Sequence, residues 1–139
     1  MSWQDYVRNL MAPTPEGTVI VTEAAICGIC DCSIWASSAE CEIKNEEIAK
    51  LVGDRSGFSQ SGPYVAGVKC RLLRDEMDDP QVMTMRLKTV ADCSGCCYPV
   101  CIGKSKKALL YIKGTKDAQP GALSDRLFSI IAHLEKCGY

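Results

Sequence analysis

The apolar residues of this chain recur with one period at both ends and with another in between. Near the start, Trp3, Tyr6, Val7, Leu10 and Met11 fall three or four positions apart, which places them on one side of an α-helix. Near the end, Leu123, Leu127, Ile130, Ile131 and Leu134 form a second helical stripe. Between them the period drops to two. Met83, Met85 and Leu87 alternate with Thr84, Arg86 and Lys88, the pattern of a half-buried strand. A sheet with an apolar face needs cover, and two striped terminal helices supply it. The expected class is α+β: a central antiparallel sheet with the N- and C-terminal helices packed on one face.

Local signals divide the chain further. Ser2 followed by Asp5 is a capping-box-like start, and Pro13 and Pro15 end the first helix. Residues 18–29 and 33–37 read as a strand pair joined near Cys30-Asp31-Cys32. Asn45 is placed to cap a short helix over 46–52, with Glu46 and Glu47 in its first turn and Gly53 as its stop. Residues 64–74, 98–103 and 108–113 are further strands. The turns at 74–79, 92–95 and 103–106 are short enough to favour antiparallel neighbours. The last helix runs from Gly121 to about Cys137.

A length of 139 residues suits one domain over 1–139. At that size folding buries roughly 65–70% of the unfolded surface, so no metal or disulfide is needed for a core. No apolar run approaches the roughly 20 residues of a membrane span, and Met1 to Asp5 lacks the basic and apolar regions of a secretion signal. The expected location is the cytoplasm, where the ten cysteines remain free thiols.

Two C-x-x-C pairs, Cys27/Cys30 and Cys93/Cys96, carry metal-ligand spacing and support an alternative reading as a cysteine-dependent metal-binding or redox protein. Against it, other cysteines sit in strand-like runs, where the residue acts as a small hydrophobe. The cluster at 93–97 is expected to be exposed and prone to oxidation. No metal or cofactor is expected. His133 is the single histidine, and the chain has no G-x-S-x-G elbow, Walker A sequence or Rossmann glycine fingerprint. Nothing local favours a Cys–His nucleophile pair. The chain reads as a non-enzyme.

The net charge of −1 conceals an uneven distribution. Glu40, Glu42, Glu46, Glu47 and Asp54 make the first half acidic, whereas Lys69, Arg71, Arg74, Arg86, Lys88, Lys104, Lys106, Lys107, Lys113 and Lys116 make the second half basic. Such residues form solvated faces, or collectively a patch for an acidic protein or an anionic head group. A nucleic-acid partner is not expected.

Several segments together resemble one family. Met1-Ser2-Trp3-Gln4-Asp5-Tyr6-Val7 and Asn9-Leu10-Met11 look like the opening of an animal profilin. Ala24-Ala25-Ile26-Cys27-Gly28 and Ser33-Ile34-Trp35-Ala36 are similar to its first hairpin, and Gly67-Val68-Lys69-Cys70 through Arg74-Asp75 to its central strand. Gly114 to Gly121, then Ala132-His133-Leu134 and Tyr139, resemble its carboxy-terminal region. The order and spacing of these pieces cover nearly the whole chain, although the 13–21 stretch looks longer than usual.

The resemblance implies two protein-binding surfaces. Trp3 and Tyr6 lie one helical turn apart, His133 flanks the last apolar stripe, and Tyr139 follows it. If the terminal helices pack side by side and antiparallel, these rings converge, with Trp35 completing the cluster. A polyproline II peptide has no internal hydrogen bonds, so it takes flat rings for its prolines and N–H or O–H donors for its carbonyls. The resemblance assigns polyproline binding to Trp3, Tyr6, Trp35, His133, Leu134 and Tyr139, with Asn9 as a further polar contact.

It also implies binding to monomeric actin through Lys69, Leu72, Arg74, Lys88, Ala118, Gln119, Gly121 and Ser124. A cytoskeletal role in actin polymerisation and nucleotide exchange follows. Phosphoinositide head groups are a third implied ligand, at Lys69, Arg74, Lys88, Lys104, Lys107 and Lys136. Three positions depart from the family pattern: Ser59 replaces an apolar residue, Gln119 stands where many relatives carry histidine, and Asp125 stands where some carry lysine.

Overall fold

The computed structural model describes every residue except Met1, Glu40, Asp54, Arg55, Ser59 and Pro80, with Pro120 as main chain only. The acidic positions Glu40 and Asp54 and the departure at Ser59 therefore lie outside the described residues. Helix α1 spans Trp3–Met11 and opens on a complete capping box: Asp5 N–H donates to Ser2 Oγ at 3.3 Å, and Ser2 N–H donates to Asp5 Oδ2 at 3.0 Å. It ends at an extended Ala12, as the residue before Pro13 must be.

The remaining elements are β1 (Val21–Gly28), β2 (Ile34–Ser37), α2 (Asn45–Val52), β3 (Tyr64–Val65), β4 (Val68–Glu76), β5 (Thr84–Thr89), β6 (Pro99–Lys104), β7 (Ala108–Gly114) and α3 (Pro120–Lys136). The strands form one sheet in the order β2-β1-β7-β6-β5-β4-β3, and every neighbouring pair is antiparallel. As expected, α1 and α3 share one face. Tyr6, Val7 and Leu10 of α1 and Leu123, Leu127, Ile131 and Leu134 of α3 bury against Ala24, Ile26, Leu110 and Ile112 of the sheet. Gly103 lets α3 approach closely: a Cβ there would collide with Ile131 Cδ1 and come within 3.0 Å of Leu127 Cδ2.

The other sheet face is apolar too, which the period-two reading did not foresee. Ile48 and Leu51 of α2 cover a second cluster containing Cys27, Cys70, Met85, Leu87, Ile102, Leu109 and Tyr111. With both faces covered, β7 is buried without alternation from Ala108 to Ile112.

Some local expectations are corrected. The expected strand over 64–74 is a hairpin: β3 and β4 meet across Ala66 (φ 51°) and Gly67 (φ 80°), and β4 continues to Glu76 into the expected turn. Met83 is not part of β5. It takes φ 55° and packs against the α1/α3 cluster, whereas Met85 and Leu87 face α2. Asn45 is not the cap of α2. Lys44 is the N-cap residue, and Asn45 Nδ2 instead donates to Cys32 O at 2.8 Å, tying the helix to the β1–β2 turn.

Glu47 does more than favour a helix start. It is 8% exposed and accepts three backbone N–H groups: Lys44 and Ala66 at Oε1 (2.9 and 3.0 Å) and Gly67 at Oε2 (2.8 Å). The carboxylate thus holds α2 against the β3–β4 turn, and it offsets the cost of an alanine at positive φ.

Candidate functional site

The helical stripes that bury α1 and α3 also set which residues emerge at their edges. The two helices run antiparallel on the sheet. At one end, Arg126 Nη1 donates to Leu10 O (3.0 Å) and Ala12 O (2.6 Å), capping the last carbonyls of α1 from α3. Nothing in the local sequence pointed to this arginine, because the groups it joins are more than a hundred residues apart. At the other end, Tyr6 OH and His133 Nε2 stand 3.1 Å apart.

The expected convergence of rings is present. Trp3 stacks at a tilt on Tyr6 (5.5 Å between centroids) and on Trp35 (4.7 Å), and meets Tyr139 edge-on at 5.0 Å. Tyr139 also meets Trp35 edge-on at 6.3 Å, and His133 lies 5.8 Å from Tyr6. Separations of this size are attractive between rings and fix their orientation. Tyr6 is buried with its hydroxyl committed to His133, Trp3 and Trp35 are half-buried, and His133 and Tyr139 are exposed.

Two devices hold the cluster. Gly28 leaves room for the indole of Trp35, since a Cβ there would lie 2.9 Å from Trp35 Nε1 and 2.6 Å from Asp31 Oδ1. Tyr139 is anchored despite following the last helix: its main-chain oxygen accepts from Ser105 Oγ (2.7 Å) and Lys107 N, and its N–H donates to Leu134 O at 2.8 Å. Lys107 Nζ stands 5.8 Å from the centre of the Tyr139 ring, a cation–π contact at the rim.

The other expected groove residues differ in placement. Leu134 is 1% exposed and supports the groove from beneath. Asn9 is exposed on α1. Cys137, which the sequence did not single out, places Sγ 3.8 Å from His133 Nε2.

The second candidate surface lies where β4 and β5 run out from under α3. Residues directly opposite in an antiparallel pair share a face. Arg71 pairs with Lys88, Arg74 with Arg86 and Glu76 with Thr84, after a register shift between Leu72 and Arg74. Lys69, two positions before Arg71, joins the same face. Ser124 of α3 reaches this face, where Arg86 Nε donates to its Oγ at 2.9 Å. Arg71 and Arg86 were not among the expected site residues, although alternation along the strands puts them beside Lys69 and Lys88.

Leu72 is set apart, packing against the cluster under α2. Ala118 packs on the α1/α3 cluster, and exposed Gln119 is the N-cap residue of α3 without a side-chain cap bond. A Cβ at Gly121 would meet nothing within 4 Å, so its bareness leaves open space beside the helix start.

The lysines expected to meet head groups fall on separate elements. Lys69, Arg74 and Lys88 belong to β4 and β5. Lys104 Nζ is paired with Asp78 Oδ1 at 2.9 Å, Lys107 is over Tyr139, and Lys136 ends α3. All ten cysteines are free, and among the described residues no three or more His, Cys, Asp or Glu side chains are grouped to hold a metal ion. No described helix is long and apolar enough to cross a membrane.

A seven-stranded antiparallel sheet with both terminal helices on one face, and a cluster of rings from both chain ends, defines a small α+β scaffold with an open aromatic groove. The profilin family model matches residues 1–139, and the chain belongs to the profilin family. Profilin-2 of Rattus norvegicus is 32% identical over 142 residues, covering 99% of this chain and 98% of the relative. Human profilin-1 is 30% identical with the same coverage. The solved structure of mouse profilin IIa, in complex with a double repeat from the FH1 domain of mDia1, superposes with a TM-score of 0.88 at 31% identity over 100% of both chains. Profilin IB of Acanthamoeba castellanii superposes at 0.77 with 27% identity, over 99% of this chain and 100% of that one.

Proposed function

We propose that this chain binds proline-rich peptides in the groove of Trp3, Tyr6, Trp35, His133 and Tyr139, and binds monomeric actin on the β4–β5–α3 face. One observation carries the reading: rings from both chain ends meet, with centroids 4.7 to 5.8 Å apart along Trp35–Trp3–Tyr6–His133. A polyproline II segment offers proline rings and unpaired carbonyls along its length. Half-buried indoles supply flat faces and N–H donors, and the stiff peptide loses little freedom on docking. The FH1-bound mouse relative supports a peptide ligand here. Leu134 supports the groove and Asn9 lies on its α1 side.

On the second face, Lys69, Arg71, Arg74, Arg86 and Lys88 suit an acidic partner surface, with Ala118, Gln119, Gly121 and Ser124 beside them. Binding there would regulate actin polymerisation and nucleotide exchange without covalent catalysis, at the cytoskeleton. Lys69, Arg74, Lys88, Lys104, Lys107 and Lys136 are the groups offered to phosphoinositide head groups.

Passage over immobilised polyproline tests the first half: the folded protein is retained, and Trp3→Ala or His133→Ser abolishes retention. Folded wild-type protein running through unretained would refute it. Nucleotide release from monomeric actin tests the second half, and release unchanged at saturating protein would refute that part. Phosphoinositide binding is tested by sedimentation with vesicles containing or lacking the lipid.

A further inference from the structure

We propose that Cys93 and Cys96 form a thiol–disulfide exchange site: a dithiol in the β5–β6 turn that a low-molecular-weight disulfide oxidises to an intramolecular bond. Neither proposed binding surface is needed for it.

The turn holds the two cysteines together before any bond forms. Gly95 N–H donates to Asp92 O at 2.9 Å, and Asp92 N–H donates to Cys96 O at 3.0 Å. With Gly95 at φ 79°, these bonds close a short hairpin loop of Cys93, Ser94 and Gly95. The Asp92 carboxylate locks the loop from within. Its Oδ1 accepts the N–H groups of Ser94 (2.9 Å) and Cys96 (3.0 Å), and Oδ2 accepts from Tyr98 OH at 3.4 Å. The N–H groups of Cys96 and Ser94 hold this carboxyl below the usual carboxylate range, so it stays an acceptor at neutral pH.

A disulfide spans Cα atoms roughly 4.4–6.8 Å apart, a separation that a chain reversal gives residues three positions apart. Closing the bond costs little freedom here, because the turn is already ordered. Cys93 is exposed and Cys96 half-buried, so one thiol meets an incoming disulfide while the other waits on the same turn.

The other exposed cysteines are differently placed. Cys30 has Cys27 at C-x-x-C spacing, but Cys27 is 0% exposed in β1 and packs under α2, and Cys32 packs against the same cluster. The cysteine nearest in sequence to Cys137 is Cys101, which is buried. Cys97 adjoins Cys96, and a bond between adjacent cysteines closes a strained ring.

The exchange balances with glutathione disulfide as the oxidant. The Cys93 thiolate attacks one of its sulfurs and expels a glutathione thiolate, which takes up a proton. Cys96 gives its proton to solvent, attacks Cys93 Sγ and expels the second glutathione. Two protein thiols become one disulfide, and one glutathione disulfide becomes two thiols.

Two measurements on the full reduced chain test the site. In the first, the protein is equilibrated with glutathione and glutathione disulfide at stepped ratios. Free thiols are then trapped with iodoacetamide and the peptides mapped by mass spectrometry. The Cys93–Cys96 bond is expected to be the first intramolecular disulfide, to reopen with dithiothreitol, and to form equally in Cys97→Ser. In Cys96→Ser, glutathione is expected to remain on Cys93, since nothing expels it. A lasting glutathione adduct on Cys93 of the wild type, a bond from Cys93 to any other cysteine, or earlier oxidation elsewhere in the chain overturns the proposal.

In the second, Asp92→Ala removes the carboxylate that orders the turn. The equilibrium constant for bond formation is expected to fall about tenfold, with faster amide exchange at Ser94 and Cys96 in the reduced variant. An unchanged equilibrium constant overturns the part assigned to this carboxylate in holding the dithiol together.

Discussion

Tyr6 OH and His133 Nε2 lie 3.1 Å apart and join residues 127 positions apart in the chain. That hydrogen bond fixes the hydroxyl of one terminal helix against the imidazole of the other, on the edge of a groove whose walls are indoles. Replacing Tyr6 by phenylalanine keeps the ring and removes only the bond. We expect Tyr6→Phe to lose about 1 kcal/mol of stability in urea unfolding and to elute earlier from polyproline than the wild type. Wild-type elution with the same loss of stability would assign the bond a structural role alone.

Gly28 governs the opposite wall. A methyl group there would press on Trp35 Nε1 and on Asp31 Oδ1, and it would move the indole or its turn. Gly28→Ala is expected to cost about 1–3 kcal/mol and to weaken polyproline binding through the displaced ring. Tryptophan fluorescence reports the displacement directly. An unchanged emission spectrum with normal retention would show that the turn absorbs the methyl.

The features legible in the sequence were those set by local periodicity. The α1 and α3 stripes fixed both helices, and the positions of Trp3, Tyr6 and His133 on those helices follow from the same register. Trp35 and Tyr139 were placed by resemblance, and neither has a local signal. The unread features depend on contacts made far along the chain. Arg126 finds its acceptors 116 and 114 residues away. The turn at Ala66-Gly67 lacks the usual Asn or Asp, and a glutamate 19 residues earlier holds it instead. Arg86 read as the polar side of a strand. Its pairing with Arg74 depends on a register shift that alternation does not reveal.

Glu47 is the centre of the next expectation. Its two oxygens satisfy the N–H groups of Lys44, Ala66 and Gly67, and it is nearly buried. Glu47→Ala leaves these donors without their acceptor and frees the β3–β4 turn from α2. A loss of about 3 kcal/mol is expected, with faster amide exchange at Ala66 and Gly67 and unchanged polyproline retention. A loss below about 0.5 kcal/mol would mean that water replaces the carboxylate at little cost.

The ten cysteines yield an expectation about alkaline pH. Burial pushes the thiols of Cys27 and Cys70 from 9.0 up to about 12, with Cys41 and Cys32 adding to the shift at Cys27. Burial likewise moves Cys101 up to about 11, although Ser124, Arg86 and Thr84 pull it back. Tyr111 is raised in the same way, by burial first and Glu23 second. A group whose folded pKa exceeds its unfolded value holds its proton in the fold after the unfolded chain has released it. Its contribution to stability is therefore whole below pH 9 and is lost as pH climbs through the folded value. Each of the three thiols removes about 1.4 kcal/mol per pH unit once above its unfolded value. In reducing buffer, the urea midpoint should hold steady from pH 7 to 8 and fall steeply between pH 9 and 10.5. Substituting Cys70 by alanine should make that fall shallower even though the variant starts out less stable. At neutral pH a thiol reagent should modify the exposed Cys30, Cys93 and Cys137 first, leaving Cys27, Cys70 and Cys101 until the chain unfolds. Early loss of the buried three, or a midpoint flat to pH 10.5, would show that these thiols are open to water in the folded protein.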